Sequence, residues 1–176
     1  MDAQPQFADL VRLFPDAAAF DAASIPPEEL PQPYRGLLAH SHHMTVTVEE
    51  FYGDPVTVRV LDSRQYRDEY ARMILLAIPN GTVVQFGIVR VNLLALSADV
   101  RAEIVAGRTP LGRVLISHGV LRRIRPTSFV RATSNAFLAK HLGDAPAYYG
   151  RVGVIFAGDL PAVEVLEILA PVSLHR

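Results

Sequence analysis

The sequence predicts an α+β domain built on a mainly antiparallel β-sheet. Two observations carry this. Long β-branched segments with alternating polarity follow one another through tight turns, and the helical segments are collected between strands instead of alternating with them in a βαβ rhythm. With 176 residues, half of them hydrophobic, the chain is long enough for one domain with a proper core.

Taken in order, "FADLVRLF" has the spacing of a short helix, and "SIPPEELPQP" (Ser24 to Pro33) carries four prolines that break any helix. Residues 1–36 are therefore expected to form a proline-rich wrap, ahead of one domain spanning 37–176. "YRGLLAH" offers a helical turn or two, while "MTVTVEEF" alternates in a way that suits strand or helix. "PVTVRVL" is β-branched and alternating, as a strand requires. "EYARMILLAI" and "TVVQFGIVRVNL" read as two long strands joined at Asn80-Gly81, a pair that tolerates the positive φ of a hairpin turn. "SADVRAEIVAG" is a helix opening at Ser97 and stopping at Gly107, and "TPLGRVLISHG" a second short one. A strand around "VLRRIRPTSFVRA", a helical "NAFLAKHLG" and two strands, "YYGRVGVIFAG" and "PAVEVLEILAP", complete the chain.

Composition excludes several functions. The formal net charge of −1, from 17 basic and 18 acidic residues, provides no field to recruit nucleic acid or an anionic membrane. Cysteine is absent, which removes disulfides, thiol nucleophiles and cysteine metal sites. No apolar run reaches the ~18 residues of a membrane span, and the amino terminus lacks a signal-peptide pattern, so a cytoplasmic protein is expected. His40 to His43, "HSHH", lacks a second pair of ligands at zinc spacing, and no metal is expected. "GRTPLGRVL" lacks the Gly-Lys-Ser/Thr ending of a phosphate loop, and Ser117-His118 lies in no nucleophile elbow.

Charged residues inside apolar strands are the informative feature. In "YARMILLAI" one face carries Tyr70, Arg72, Ile74 and Leu76, the other Ala71, Met73, Leu75 and Ala77, and both look buried. In "AVEVLEIL", Glu164 and Glu167 lie on opposite faces, each among apolar neighbours. A buried lone charge costs several kcal/mol, roughly, so each group needs a partner or a ligand. An Arg72–Glu167 ion pair answers this requirement, and so does a bound anion. The residues alone do not separate Glu164 from Glu167 as the pocket carboxylate.

"HMTVTVEEFYGDPVTVRVL", "YARMILLA", "VNLLALSADVRAEIVAGRTPLGRVL", "YYGRVGVIF" and "VEVLEILAP", in this order and spacing, resemble the chorismate pyruvate-lyase (4-hydroxybenzoate synthase) superfamily over Leu37 to Pro171. The resemblance implies a chorismate lyase-like fold, with helical flaps closing an antiparallel sheet over an internal ligand pocket. It implies a cofactor-independent lyase that releases pyruvate from chorismate or acts on a related small carboxylate. Arg72 corresponds to the arginine that grips the ligand carboxylate and Glu167 to the essential glutamate; a desolvated glutamate is suited to proton exchange. Met44, Thr45, Leu111 and Gly112 match pocket-lining positions. The family's second ligand arginine falls at Gly87, with Gln85 and Val89 on the same face; Arg123 or Arg125 is a conceivable substitute clamp.

Two alternatives accompany the lyase. Gly87 in place of arginine suggests a pocket widened for a bulkier acid, in a tailoring lyase, dehydratase or cyclase. The same fold also resembles the ligand-sensing domain of some transcription regulators, which implies a non-catalytic module; the roughly 35 residues preceding the resemblance are too few for a helix-turn-helix domain.

Overall fold

A computed structural model describes residues 6–15, 20–120 and 122–172. Seven strands form one sheet: β1 (Ala22–Ile25), β2 (Thr57–Tyr66), β3 (Glu69–Ala77), β4 (Val83–Asn92), β5 (Arg122–Thr133), β6 (Ala147–Ala157) and β7 (Leu160–Leu169). Their spatial order is β1-β5-β6-β7-β4-β3-β2, and every neighbouring pair is antiparallel. The predicted hairpin joins β3 to β4, with Gly81 at φ +89° where a side chain would be strained. Among the described residues six α-helices accompany the sheet: α1 (Phe7–Val11), α2 (Tyr34–Leu38), α3 (Met44–Tyr52), α4 (Ala98–Ala106), α5 (Leu111–Ser117) and α6 (Ala136–Leu142). "MTVTVEEF", open between strand and helix, is α3.

Strand alternation divides the core. Met73, Leu75, Phe86, Ile88, Val152, Leu166 and Ile168 form one face with Leu10 of α1 and Leu138 and Leu142 of α6. The opposite face holds two apolar clusters. Tyr70, Val89, Val91, Ile155, Val163 and Val165 pack against α4 and α5. Ile74, Leu76, Val84 and Leu169 pack against α2 and α3. Between the two clusters runs a seam where the sheet presents Arg72, Gln85, Gly87, Arg151 and Glu167. The expected burial of β3 on both faces holds, since its residues from Tyr70 to Leu76 are all buried.

Close strand packing constrains the sheet at Gly150, which faces Ile168 across β6 and β7. A Cβ there would lie 2.3 Å from the Glu167 carbonyl oxygen and 2.5 Å from Ile168 Cδ1. Backbone cannot yield as a flexible side chain can, so Gly150→Ala is expected to destabilise the fold by about 2 kcal/mol or more, read as a lower urea midpoint at unchanged slope.

Candidate functional site: a closed cavity over the sheet seam

Register assembles the site. Ile74, Gly87, Glu167 and Arg151 lie in one row across β3, β4, β7 and β6. Arg72 belongs to the next row, opposite Val89, and Gln85 to the row on the other side, opposite Leu76. Above Gly87, which contributes no side chain, is an enclosed cavity of about 40 Å³. Its walls include Thr45, Arg72, Gln85, Leu111, Gly112 and Glu167. Thus seven of the eight residues singled out from the sequence converge on one cavity. Met44 does not: it is buried in the apolar cluster under α3.

Arg72 is 1% exposed. Its Nη1 donates to the Ile104 carbonyl at 3.1 Å, among the last carbonyls of α4, and its Nη2 to the Thr109 carbonyl at 3.4 Å. The negative end of a helix dipole favours a cation in that position. Nε is buried and makes no hydrogen bond, and no carboxylate among the described residues forms an ion pair with Arg72. Burial lowers its pKa from the ordinary value and the Tyr70 side chain opposes this, but a guanidinium stays charged at neutral pH. Gln85 is 3% exposed, and its Oε1 is likewise buried without a hydrogen bond.

Glu167 answers a different cation. Its Oε2 accepts from Arg151 Nε at 2.7 Å, so the conceivable Arg72–Glu167 pair is replaced by an Arg151–Glu167 pair between cross-strand neighbours. Arg72 lies two strands and one row away, with Nη1 and Nη2 engaged by the carbonyls of Ile104 and Thr109. Arg151, also 1% exposed, donates further to the carbonyls of Leu38, His40 and His42 at 3.2, 2.9 and 3.0 Å. It thereby fastens to the sheet the loop that leads into α3. The sequence reading quoted Arg151 within "YYGRVGVIF" but gave it no role. Its alternation with buried residues is a usable signal; its carbonyl partners carry none, because any residue supplies a carbonyl.

The question of the two glutamates is settled by face: Glu167 borders the cavity, whereas Glu164 lies on the other face and accepts from Arg90 Nε at 2.7 Å. Arg123 and Arg125 do not reach the cavity, because their guanidiniums lie over the Phe156 ring at 4.8 and 5.3 Å, beside a separate open groove. Beside Gly87 the packing is close: a Cβ there would meet Ile74 Cδ1 at 3.3 Å and the Leu166 carbonyl at 3.4 Å. Over the cavity, Gly112 of α5 rests on the first turn of α3, where a Cβ would lie 2.9 Å from Thr45 Oγ1.

In the histidine loop, His42 N–H donates to His40 Nδ1 at 3.0 Å, and His40 Nε2 lies 2.7 Å from the Leu37 carbonyl. The neutral imidazole with its proton on Nε2 satisfies both contacts. Among the described residues no group of three or more His, Asp or Glu side chains is placed to hold a metal. None of the described helices is long and apolar enough to cross a membrane.

No protein-family model matches the chain, and a search of curated proteins finds no match. Solved structures do match. PhnF from Mycobacterium smegmatis superposes with a TM-score of 0.52 at 14% identity, over 73% of this chain and 63% of that one. The possible transcriptional regulator YydK from Bacillus subtilis subsp. subtilis str. 168 gives 0.43 at 10% identity, over 69% and 63%. Gene product SA0254 from Staphylococcus aureus subsp. aureus N315 gives 0.45 at 11%, over 65% and 82%. The chain spans less than two thirds of the length of the first two. The fold is α+β and chorismate lyase-like, as expected. The expected activity is corrected: these matches are PhnF, a possible transcriptional regulator and a gene product, none named a lyase, and the carbon-oxygen lyase reading with its pyruvate and 4-hydroxybenzoate is withdrawn.

Two outcomes follow from the geometry. Arg151→Met leaves Glu167 without its cation and is expected to cost about 3 to 5 kcal/mol in urea unfolding. The double variant Arg151→Met/Glu167→Gln is expected to recover part of that loss, a coupling that a double-mutant cycle reads directly. The second outcome concerns pH. Burial, then the Arg151 charge, lower the His40 pKa below its ordinary 6.5, and burial first and then Lys140 and Arg59 lower that of His141. Well above pH 6.5 both histidines are neutral folded or unfolded, and stability is undiminished. As pH falls below it, the unfolded chain takes up protons that the folded chain refuses, so stability declines until the lowered folded values are passed. Urea midpoints at pH 7.5, 6.5 and 5.5 should show this decline, with a shallower slope in His40→Gln.

Proposed function

We propose that the chain is a non-catalytic sensing module that binds a small carboxylate at Arg72. The observation that supports this best is a permanent cation, 1% exposed, bordering a cavity with a free Nε and no acidic partner among the described residues. A carboxylate laid against the Nε edge gains charge-assisted hydrogen bonds and neutralises the buried charge. Arg72 is held on a rigid strand with two of its nitrogens tethered, so little side-chain entropy is lost on binding.

The regulator-like neighbours favour sensing. In that role the module itself needs neither cofactor nor nucleic acid: it binds the effector, and a DNA-binding partner reads its state. Thr45, Leu111 and Gly112 form the roof and Gln85, Gly87 and Glu167 the floor. Glu167, engaged by Arg151, serves to fix the loop before α3.

Isothermal titration with short carboxylates, followed by NMR of the recovered ligand, tests the proposal. Saturable binding with the ligand unchanged after long incubation is expected, and Arg72→Gln should weaken it at least about tenfold. Binding that is indifferent to Arg72→Gln would overturn the assignment.

A further inference from the structure

Resting on the reading of Arg72 as a carboxylate clamp, we infer that the effector is a compact aliphatic acid with a hydroxyl near its carboxylate, and that Gln85 reads that hydroxyl. The argument begins with what the protein leaves unmade. Among buried side-chain atoms of the described residues, Arg72 Nε and Gln85 Oε1 have no hydrogen-bond partner, and both residues border the same cavity. Native interiors pair nearly all such groups, so two orphans on residues that line one small space point to what a bound molecule would bring once the side chains turn toward it. Arg72 calls for an anionic acceptor and Gln85 Oε1 for a donor.

Along β4, Gln85 and Val89, the partner of Arg72, are four residues apart, roughly 13 Å at strand spacing, with Gly87 midway. From those two positions the long side chains of Arg72 and Gln85 reach a common space over the glycine. A hydroxyl suits the amide in either orientation, because it both donates and accepts.

Size narrows the class further. An apolar cavity that accepts benzene measures roughly 150 Å³. This one measures about 40 Å³, with Ile74 packed closely beside Gly87. The roof is tight as well, with Gly112 set directly on Thr45. The small, largely enclosed site therefore favours an acid of a few heavy atoms over one with an aromatic ring.

The test is a titration panel on the whole chain: lactate against propionate, glycolate against acetate, and benzoate as the size control. Wild-type protein is expected to bind each hydroxy acid at least about tenfold more tightly than its plain partner, with benzoate weakest. In Gln85→Leu the preference should vanish, with lactate and propionate binding within about twofold of each other. Equal wild-type affinities for lactate and propionate, a preference that survives Gln85→Leu, or benzoate binding more tightly than lactate would each overturn the inference. The wild-type comparison decides the matter even if Gln85→Leu fails to fold. Plain and hydroxy acids binding equally, and both lost in Arg72→Gln, would sink this inference alone. No binding by any acid would remove the carboxylate clamp as well.

Discussion

Two guanidiniums buried on one sheet face are the constraint around which the structure is arranged. Arg72 and Arg151 are each 1% exposed, in a medium where an uncompensated charge costs several kcal/mol, roughly. The fold treats them differently. Arg151 receives a carboxylate and three backbone carbonyls, which leaves it little capacity to bind anything else. Arg72 receives two carbonyls and keeps one buried nitrogen unsatisfied. One is a structural ion and the other the clamp of the proposed site; the distinction lies in how far each hydrogen-bonding capacity is met.

The satisfied arginine makes the unsatisfied one useful. By holding the carbonyls of residues 38 to 42, Arg151 fixes the approach to α3, and α3 presents Thr45 to the cavity. The contact between Thr45 and Gly112 then seats α5 on α3 and completes the roof. Cavity closure is thus a consequence of polar contacts in the seam, with the two apolar clusters on either side supplying burial. A larger residue at 112 would part the two helices and open the cavity to water, weakening every electrostatic interaction inside it.

Much of this was legible in the sequence, for reasons that can be traced. The period of two in "YARMILLAI" put Arg72 among buried residues, and Asn80-Gly81 located the hairpin that pairs its strand with Gln85 and Gly87. The ordered family motifs brought Thr45, Leu111, Gly112 and Glu167 to the same place. What stayed hidden depends on long-range geometry. The partner of Glu167 follows from the β6–β7 register, which places Arg151 directly opposite it. "MTVTVEEF" has β-branched alternation that favours a strand in isolation, but α3 is decided by Met44 and Val48 packing one turn apart into the core. The surroundings of Gly87 likewise depend on its neighbours in the register, with Ile74 packed beside it.

The step from fold to activity is where sequence reasoning went furthest astray, and the geometry shows why. A charged pair at matching positions in a shared fold suggests shared chemistry, yet a fold hosts many functions and only the site decides between them. Acid/base catalysis needs a proton-transfer group directed at the substrate, with hydrogen-bonding capacity reserved for it. Here Glu167 directs Oε2 to Arg151 and helps hold the structure together. On the reading proposed above, what the cavity offers is recognition, through a cation and an amide oxygen that are both buried. Groups that bind a molecule equally well before and during reaction yield affinity without turnover, and it is that balance which the proposed sensing role requires of Arg72 and Gln85.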